Sequence, residues 1–166
     1  MKSRWKGHVD EVVLLGAARA GPLVHGRMAG VLAGLKETMR DVMETCPVVT
    51  VDGDGVFKAS LERMRRYLQR SKAKYVLVGA VNDSSALGAA RAFQEAGRAS
   101  TCAIIGQNAE FDARCELREP RTPLIGSVGY FPERYGDGII SLALDILAHR
   151  PTPPADLPNL RLGDHH

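Results

Sequence analysis

At 166 residues the chain has the length of one domain with a proper core, and 45 % apolar with 25 % charged residues is ordinary for a soluble globular protein. The formal charge of +3 comes from scattered basic residues. The short run Arg63, Arg65 and Arg66 lies on a helix whose other face is apolar, so it reads as a solvated face and no nucleic acid is expected on this segment.

No apolar stretch approaches the roughly 20 residues that span a bilayer, so no membrane span is expected. Residues 1–8 are charged and lack an apolar core before a small-residue cleavage site, which argues against a signal peptide. The three cysteines, Cys46, Cys102 and Cys115, show no metal-like spacing, and their odd number argues against a full disulfide framework. They read as structural thiols, and His165-His166 as a tag remnant as readily as a metal site.

The elements follow one another with a clear alternation. Glu11 to Gly16 (EVVLLG) is the first strand, and Pro22 suits the first turn of the helix after it. Val24, Met28, Val31, Leu35 and Val42 recur at helical spacing and predict one long helix ending before Cys46-Pro47. Val48 to Val51 is a short strand, broken by Asp52-Gly53-Asp54-Gly55. Phe57, Leu61, Met64 and Leu68 mark the next helix.

The stretch Tyr75 to Asn108 is the centre of the chain. Val76-Leu77-Val78 has the β-branched content of a strand buried on both faces. Asp83 is expected to cap the next helix, whose Ala86, Ala89, Ala90, Phe93 and Ala96 form a small-residue face. Gly97 closes it, and Thr101 to Ile105 is a second buried strand. Strand, helix, strand at this length predicts a βαβ unit with parallel strands.

A shorter helix is predicted over Glu110 to Leu117, a fifth strand over Leu124 to Val128, and a last helix over Tyr135 to His149. Its apolar residues Ile139, Ile140, Leu142, Ala143, Leu144, Ile146 and Leu147 span about 200° of the helix. One sheet face cannot cover so wide an arc, so a second contact surface is expected there. Beyond Arg150 the run PTPPADLP reads as a linker or tail, with Leu160-Arg161-Leu162 a possible edge strand. The fold class that results is α/β: an open parallel sheet of about five strands with helices on both faces. The expected organisation is an N-terminal extension over residues 1–10, a single α/β lobe over 11–150, and a Pro-rich tail over 151–166.

Enzyme constellations are scarce. Gly53-Asp54-Gly55 lacks the spacing of a dinucleotide or phosphate loop and reads as a turn. Ser127 in GSVGY is out of frame for a nucleophile elbow, and His8, His25 and His149 are isolated. Asp52 and Asp54 at a strand end resemble the start of a Mg²⁺-binding phosphoacceptor site, but its later acidic residue and Lys are not evident. No catalysis, no cofactor and no metal are expected. The strand ends instead offer Asn82, Asn108, Arg27 and Tyr130, groups suited to polyols. An amide matches the donor and acceptor of a hydroxyl, a guanidinium gives a planar fork, and an aromatic ring lies against a sugar's C–H face. Taken singly, Asn82 is equally well a cap or turn residue and Arg27 a surface charge. In open parallel sheets ligands bind outside the carboxyl ends of the strands, where these four converge.

The order of motifs is informative beyond its chemistry. Arg27 to Gly30 (R-x-x-G), Asn82-Asp83 with Ala86 and Gly88, Ile104 to Asn108 (I-I-G-x-N), and Gly126 to Gly136 (G-S-V-x-Y-F-P-x-x-Y-G) resemble the type I periplasmic sugar-binding proteins. These are ribose-binding-like receptors of ABC importers, related to lac-repressor-type regulators. The resemblance runs from about Glu11 to about Pro154 and implies the C-terminal lobe of a two-lobed receptor. It implies ligand contacts at Arg27 and Asn82, with Asn108 where the family usually has Asp and Tyr130 where many members have Gln. It further implies a sugar or polyol ligand and, for the intact parent, an ABC permease as partner and a periplasmic location. A missing N-terminal lobe, or a second copy in a homodimer, would cover the apolar helix 135–149. The alternative is the effector domain of a cytoplasmic transcriptional regulator with the same fold.

Overall fold

A computed structural model of the chain describes Trp5 and residues 8–152. The described residues fall into two compact units that divide between Tyr130 and Phe131, and each is taken by itself.

The first unit is built on a five-stranded sheet of order β2-β1-β3-β4-β5: β1 (Glu11–Gly16), β2 (Val48–Asp52), β3 (Val76–Ala80), β4 (Cys102–Asn108) and β5 (Leu124–Gly129). Every pairing is parallel. β3 lies at the centre, buried along its whole length, as its continuous apolar run requires. The helices are α1 (Pro22–Thr38), α2 (Arg40–Met43), α3 (Phe57–Arg70), α4 (Asp83–Glu95) and α5 (Phe111–Glu116).

Strand alternation sorts the core into two layers. Val13, Leu15, Val76, Val78, Cys102 and Ile104 face α3 and α4, where Met64 and Phe93 are fully buried among the alanines of α4. Complete burial of a side chain such as Phe93 contributes about 1.5–3 kcal/mol. The opposite layer joins Val12, Leu14, Leu77 and Ala103 to Met28, Val31, Leu32 and Leu35 of α1, and Trp5 enters it against Tyr75. Glycine lets the helices of the first layer approach closely. A Cβ on Gly88 of α4 would stand 2.6 Å from the Phe57 carbonyl oxygen at the start of α3.

Several sequence expectations need correction. The predicted long helix to Val42 breaks at Met39 (φ −131°, ψ 43°), so α1 ends at Thr38 and α2 adds one turn. Apolar spacing continues across the break because both pieces pack on the same layer. The residue that caps α4 is Asn82 and not Asp83: the Asn82 side chain accepts from the Ser85 N–H at 2.9 Å. Ala96 is exposed, and Ala92 takes a buried place on α4 instead. β4 begins at Cys102 and runs through Asn108, because pairing with β5 continues to Gly129. Leu160-Arg161-Leu162 lies outside the described residues.

The second unit carries α6 (Tyr135–Leu147). Its Ile139, Ile140, Leu144, Ile146 and Leu147 are all more than half exposed. Among the described residues no helix is long and apolar enough to cross a membrane.

Candidate functional site

The parallel sheet aims the carboxyl ends of β1, β3, β4 and β5 at one edge, where Asn82-Asp83 follow β3 and Gln107-Asn108 end β4. On the β2 side, Asp54 (φ 56°) and Gly55 (φ 69°) turn the chain through left-handed conformations. Asp52 Oδ1 accepts from Asp54 N at 2.9 Å and Ala18 N at 3.2 Å, and Arg19 pairs with Asp54. The Arg19 guanidinium holds the Asp54 carboxyl below its ordinary range. This is a closed turn, and among the described residues no group of His, Cys, Asp and Glu is placed to hold a metal.

Asn82 stands at the start of α4 with both ends of its amide engaged. Oδ1 caps the helix, and Nδ2 donates to the Gly55 carbonyl at 2.8 Å. It ties the turn after β2 to the turn after β3. Asp83, fully buried, accepts from Glu110 N at 2.7 Å and from Ser127 Oγ at 2.5 Å, and Ser127 Oγ in turn accepts from Ala109 N at 3.0 Å. Ser127 is thereby a structural hydroxyl that fastens β5 to the end of β4.

The other three predicted residues come together. Arg27 of α1 donates from Nη1 to the Val81 carbonyl at 2.9 Å and to Asn108 Oδ1 at 3.2 Å. Its guanidinium lies over the Tyr130 ring, 4.7 Å from the centroid. Asn108 Nδ2 donates outward to Glu110 at 2.8 Å. Arg27 and Tyr130 border an open cleft of about 560 Å³. Gly26, Arg27, Gly30 and Val31 form its α1 wall, and Gln107, Val128 and Tyr130 the sheet wall.

Gln107 is a member that the four predicted residues did not include. It is 5 % exposed, accepts from the Tyr130 hydroxyl at 2.5 Å and donates to the Ala80 carbonyl at 3.3 Å. Its signal was present: a glutamine next to Asn108 at the end of an apolar strand. In a continuing strand Gln107 and Asn108 would face opposite sides. Positive φ at Asn108 (113°) and Ala109 (56°) ends the alternation, and both side chains reach one cluster.

The contacts close on themselves. From the Ala80 carbonyl they run through Gln107, Tyr130 and Arg27 to the carbonyl of Val81, the next residue of the chain. Such an arrangement can bind. It holds neutral donors and acceptors, one aromatic face and one permanent cation, with no nucleophile–base pair among them.

No protein-family model matches the chain, and no curated protein does. Solved structures do. An ABC-transporter solute-binding protein from Agrobacterium vitis, bound to α-D-tagatopyranose, superposes with a TM-score of 0.74 at 16 % identity. The match covers 92 % of this chain and 48 % of that one. The chain has their fold. The fructose-binding periplasmic domain of a hybrid two-component system matches at TM-score 0.69 and 24 % identity, over 92 % of this chain and 48 % of that one. A LacI-family transcriptional regulator from Arthrobacter, in complex with lactose, matches at 0.64 and 20 %, over 89 % and 51 %. The chain thus spans about half the length of the solved structures it matches.

Proposed function

We propose that this chain is a binding lobe without catalysis, one half of a two-lobed receptor for a sugar or other small polar solute. The observation that carries the reading is the Arg27–Tyr130–Gln107 cluster bordering a cleft at the carboxyl edge of a parallel sheet. The fold is shared with proteins described as binding tagatose, fructose and allose, which supports a polyol ligand. Arg27, Asn108 and Tyr130 are the proposed contacts. Asn82 joins them through the amide N–H and lone pair that the helix cap and the Gly55 bond leave open.

In the leading form of this reading the parent is the periplasmic receptor of an ABC importer and delivers its ligand to a permease. A second form is the effector domain of a cytoplasmic regulator, favoured by matches of comparable quality to LacI-family proteins. In either form the exposed apolar side of α6 meets a further lobe or a second copy. Sedimentation at tens of micromolar tests the second copy: a dimer that dissociates on Leu144→Lys supports it, and a monomer at all concentrations removes it.

Titration calorimetry of the two-lobed parent with a panel of pentoses and hexoses tests the site. Arg27→Ala or Tyr130→Ala should weaken the ligand found by about 1–3 kcal/mol, because a buried hydroxyl or ring face loses its partner. Unchanged affinity in the double variant removes the assignment. The isolated chain should bind only at millimolar ligand, since half of a micromolar affinity of about −8 kcal/mol corresponds to that range.

A further inference from the structure

We propose that the Arg27 cleft takes an anionic sugar, specifically a sugar acid whose carboxylate meets the Arg27 guanidinium; the inference rests on the sugar-binding reading above. The argument is the charge balance of the cleft. Arg27 is half-buried and, as a guanidinium, permanently charged. Both bonds it makes go to neutral oxygens, the Val81 carbonyl and the Asn108 amide. Its aromatic neighbour is neutral, and so is Gln107. None of the ion pairs among the described residues involves Arg27.

The carboxylate nearest to it along this network is Glu110, which is exposed and bonded to the far side of the Asn108 amide. The amide therefore stands between the two charges, and Glu110 interacts with Arg27 only through a water-exposed rim. A carboxylate in place of that amide would neutralise the guanidinium directly. Asn108 instead leaves a positive cleft.

The donor geometry agrees with the charge. Nη1 is occupied by Val81 and Asn108, while Nε–H and the Nη2 hydrogens find no acceptor among the described residues. Those two nitrogens form one edge of the guanidinium plane, the edge that pairs with both oxygens of a carboxylate at once. A neutral hydroxyl would take one of these donors and leave the charge unmatched. Gly26 and Gly30 add no side chains to the α1 wall of the cleft, which leaves room for a carboxylate beside Arg27. The Tyr130 ring remains for the hydroxylated part of the ligand.

The test is a ¹H–¹⁵N correlation titration of the chain as it stands, which detects millimolar binding, including the Arg Nε–H region. Four probes are compared at equal ionic strength: D-galacturonate, D-galactose, D-galactose 6-phosphate and sodium acetate. The expected result is saturable shifts at Arg27, Gly30, Gln107 and Asn108 with galacturonate, at an affinity about tenfold or more above galactose. Asn108→Asp should lower that preference, and Arg27→Gln should abolish it. Galactose binding as tightly as galacturonate would overturn the proposal and leave the sugar reading intact. Preference for the 6-phosphate would replace the carboxylate with a phosphate. Acetate reproducing the shifts would mean an adventitious anion only. Absence of saturable shifts with all three sugars would overturn this inference, while the sugar reading beneath it stands or falls on the calorimetric panel with the two-lobed parent.

Discussion

Replacing Asn82 by alanine separates stability from recognition at the strand end. The side chain does two structural things at once: it caps α4 through Ser85 N and donates to the Gly55 carbonyl. Loss of an N-cap costs typically about 1 kcal/mol, within a range of about 0.5–2. Loss of the bond to Gly55, in a half-buried place, adds about 1 kcal/mol. Asn82→Ala should therefore destabilise the fold by about 2 kcal/mol, a fall in Tm of about 4–8 °C for a domain of this size. Asn82→Asp keeps an acceptor for Ser85 N and puts a negative charge at a helix N-terminus, while losing the donor to Gly55. It should retain roughly half of the stability that alanine loses. Urea unfolding followed by far-UV circular dichroism measures both. Alanine within about 0.5 kcal/mol of the parent, or aspartate as damaging as alanine, would refute the double role. Affinity changes in Asn82→Ala then carry information only at matched fractions folded.

Three further outcomes are expected. Gly88→Ala should cost about 1–3 kcal/mol in the same unfolding assay, since its Cβ would press on the Phe57 carbonyl oxygen and the start of α3 would have to move. Asp10 has its carboxyl lowered from 3.8, chiefly by the bond from Tyr75 N. Its folded value lies below its unfolded one, so it contributes stability above pH 3.8 that disappears as pH falls; Asp10→Asn should flatten the loss of stability between about pH 5 and 2. Ellman's reagent should react promptly with Cys115 alone in the native protein. Cys46 and Cys102 are buried and their thiols pushed up by that burial, so they should respond only on unfolding, and Cys115→Ser should remove the fast phase.

The parallel sheet was legible because its evidence is local. Val76-Leu77-Val78 is an apolar run that only a doubly covered strand uses, and the alanines of α4 announce close packing. The break at Met39 was not legible, since the apolar period passes through it and only backbone geometry marks it. Capping was misplaced by one residue, because Asn82 and Asp83 are both good caps and the choice follows from burial. Asp83 is drawn inward by Ser127 and Glu110, from more than 25 positions away. Of the candidate cluster, Arg27, Asn108 and Tyr130 stood out as polyol-type groups at the strand ends, and the structure brings these three together. Gln107 is visible at the same strand end, but its place in the cluster depends on the left-handed turn after the strand, which nothing in the residue types requires.

The circuit through Gln107, Tyr130 and Arg27 begins on Ala80, the last residue of β3, and ends on Val81 just beyond it, at the end of the most deeply buried strand. Its side chains therefore lose their rotational freedom when the chain folds and have little left to lose when a ligand arrives. Immobilising such side chains at an interface ordinarily opposes binding by about 0.5–1.5 kcal/mol each. Here that opposition falls on the folding equilibrium of the lobe. Under the proposed reading the chain would meet a ligand as a fixed template, and the weak binding expected of it alone would reflect missing contact area on the open side of the cleft. Any motion on binding would then fall to surfaces outside this circuit.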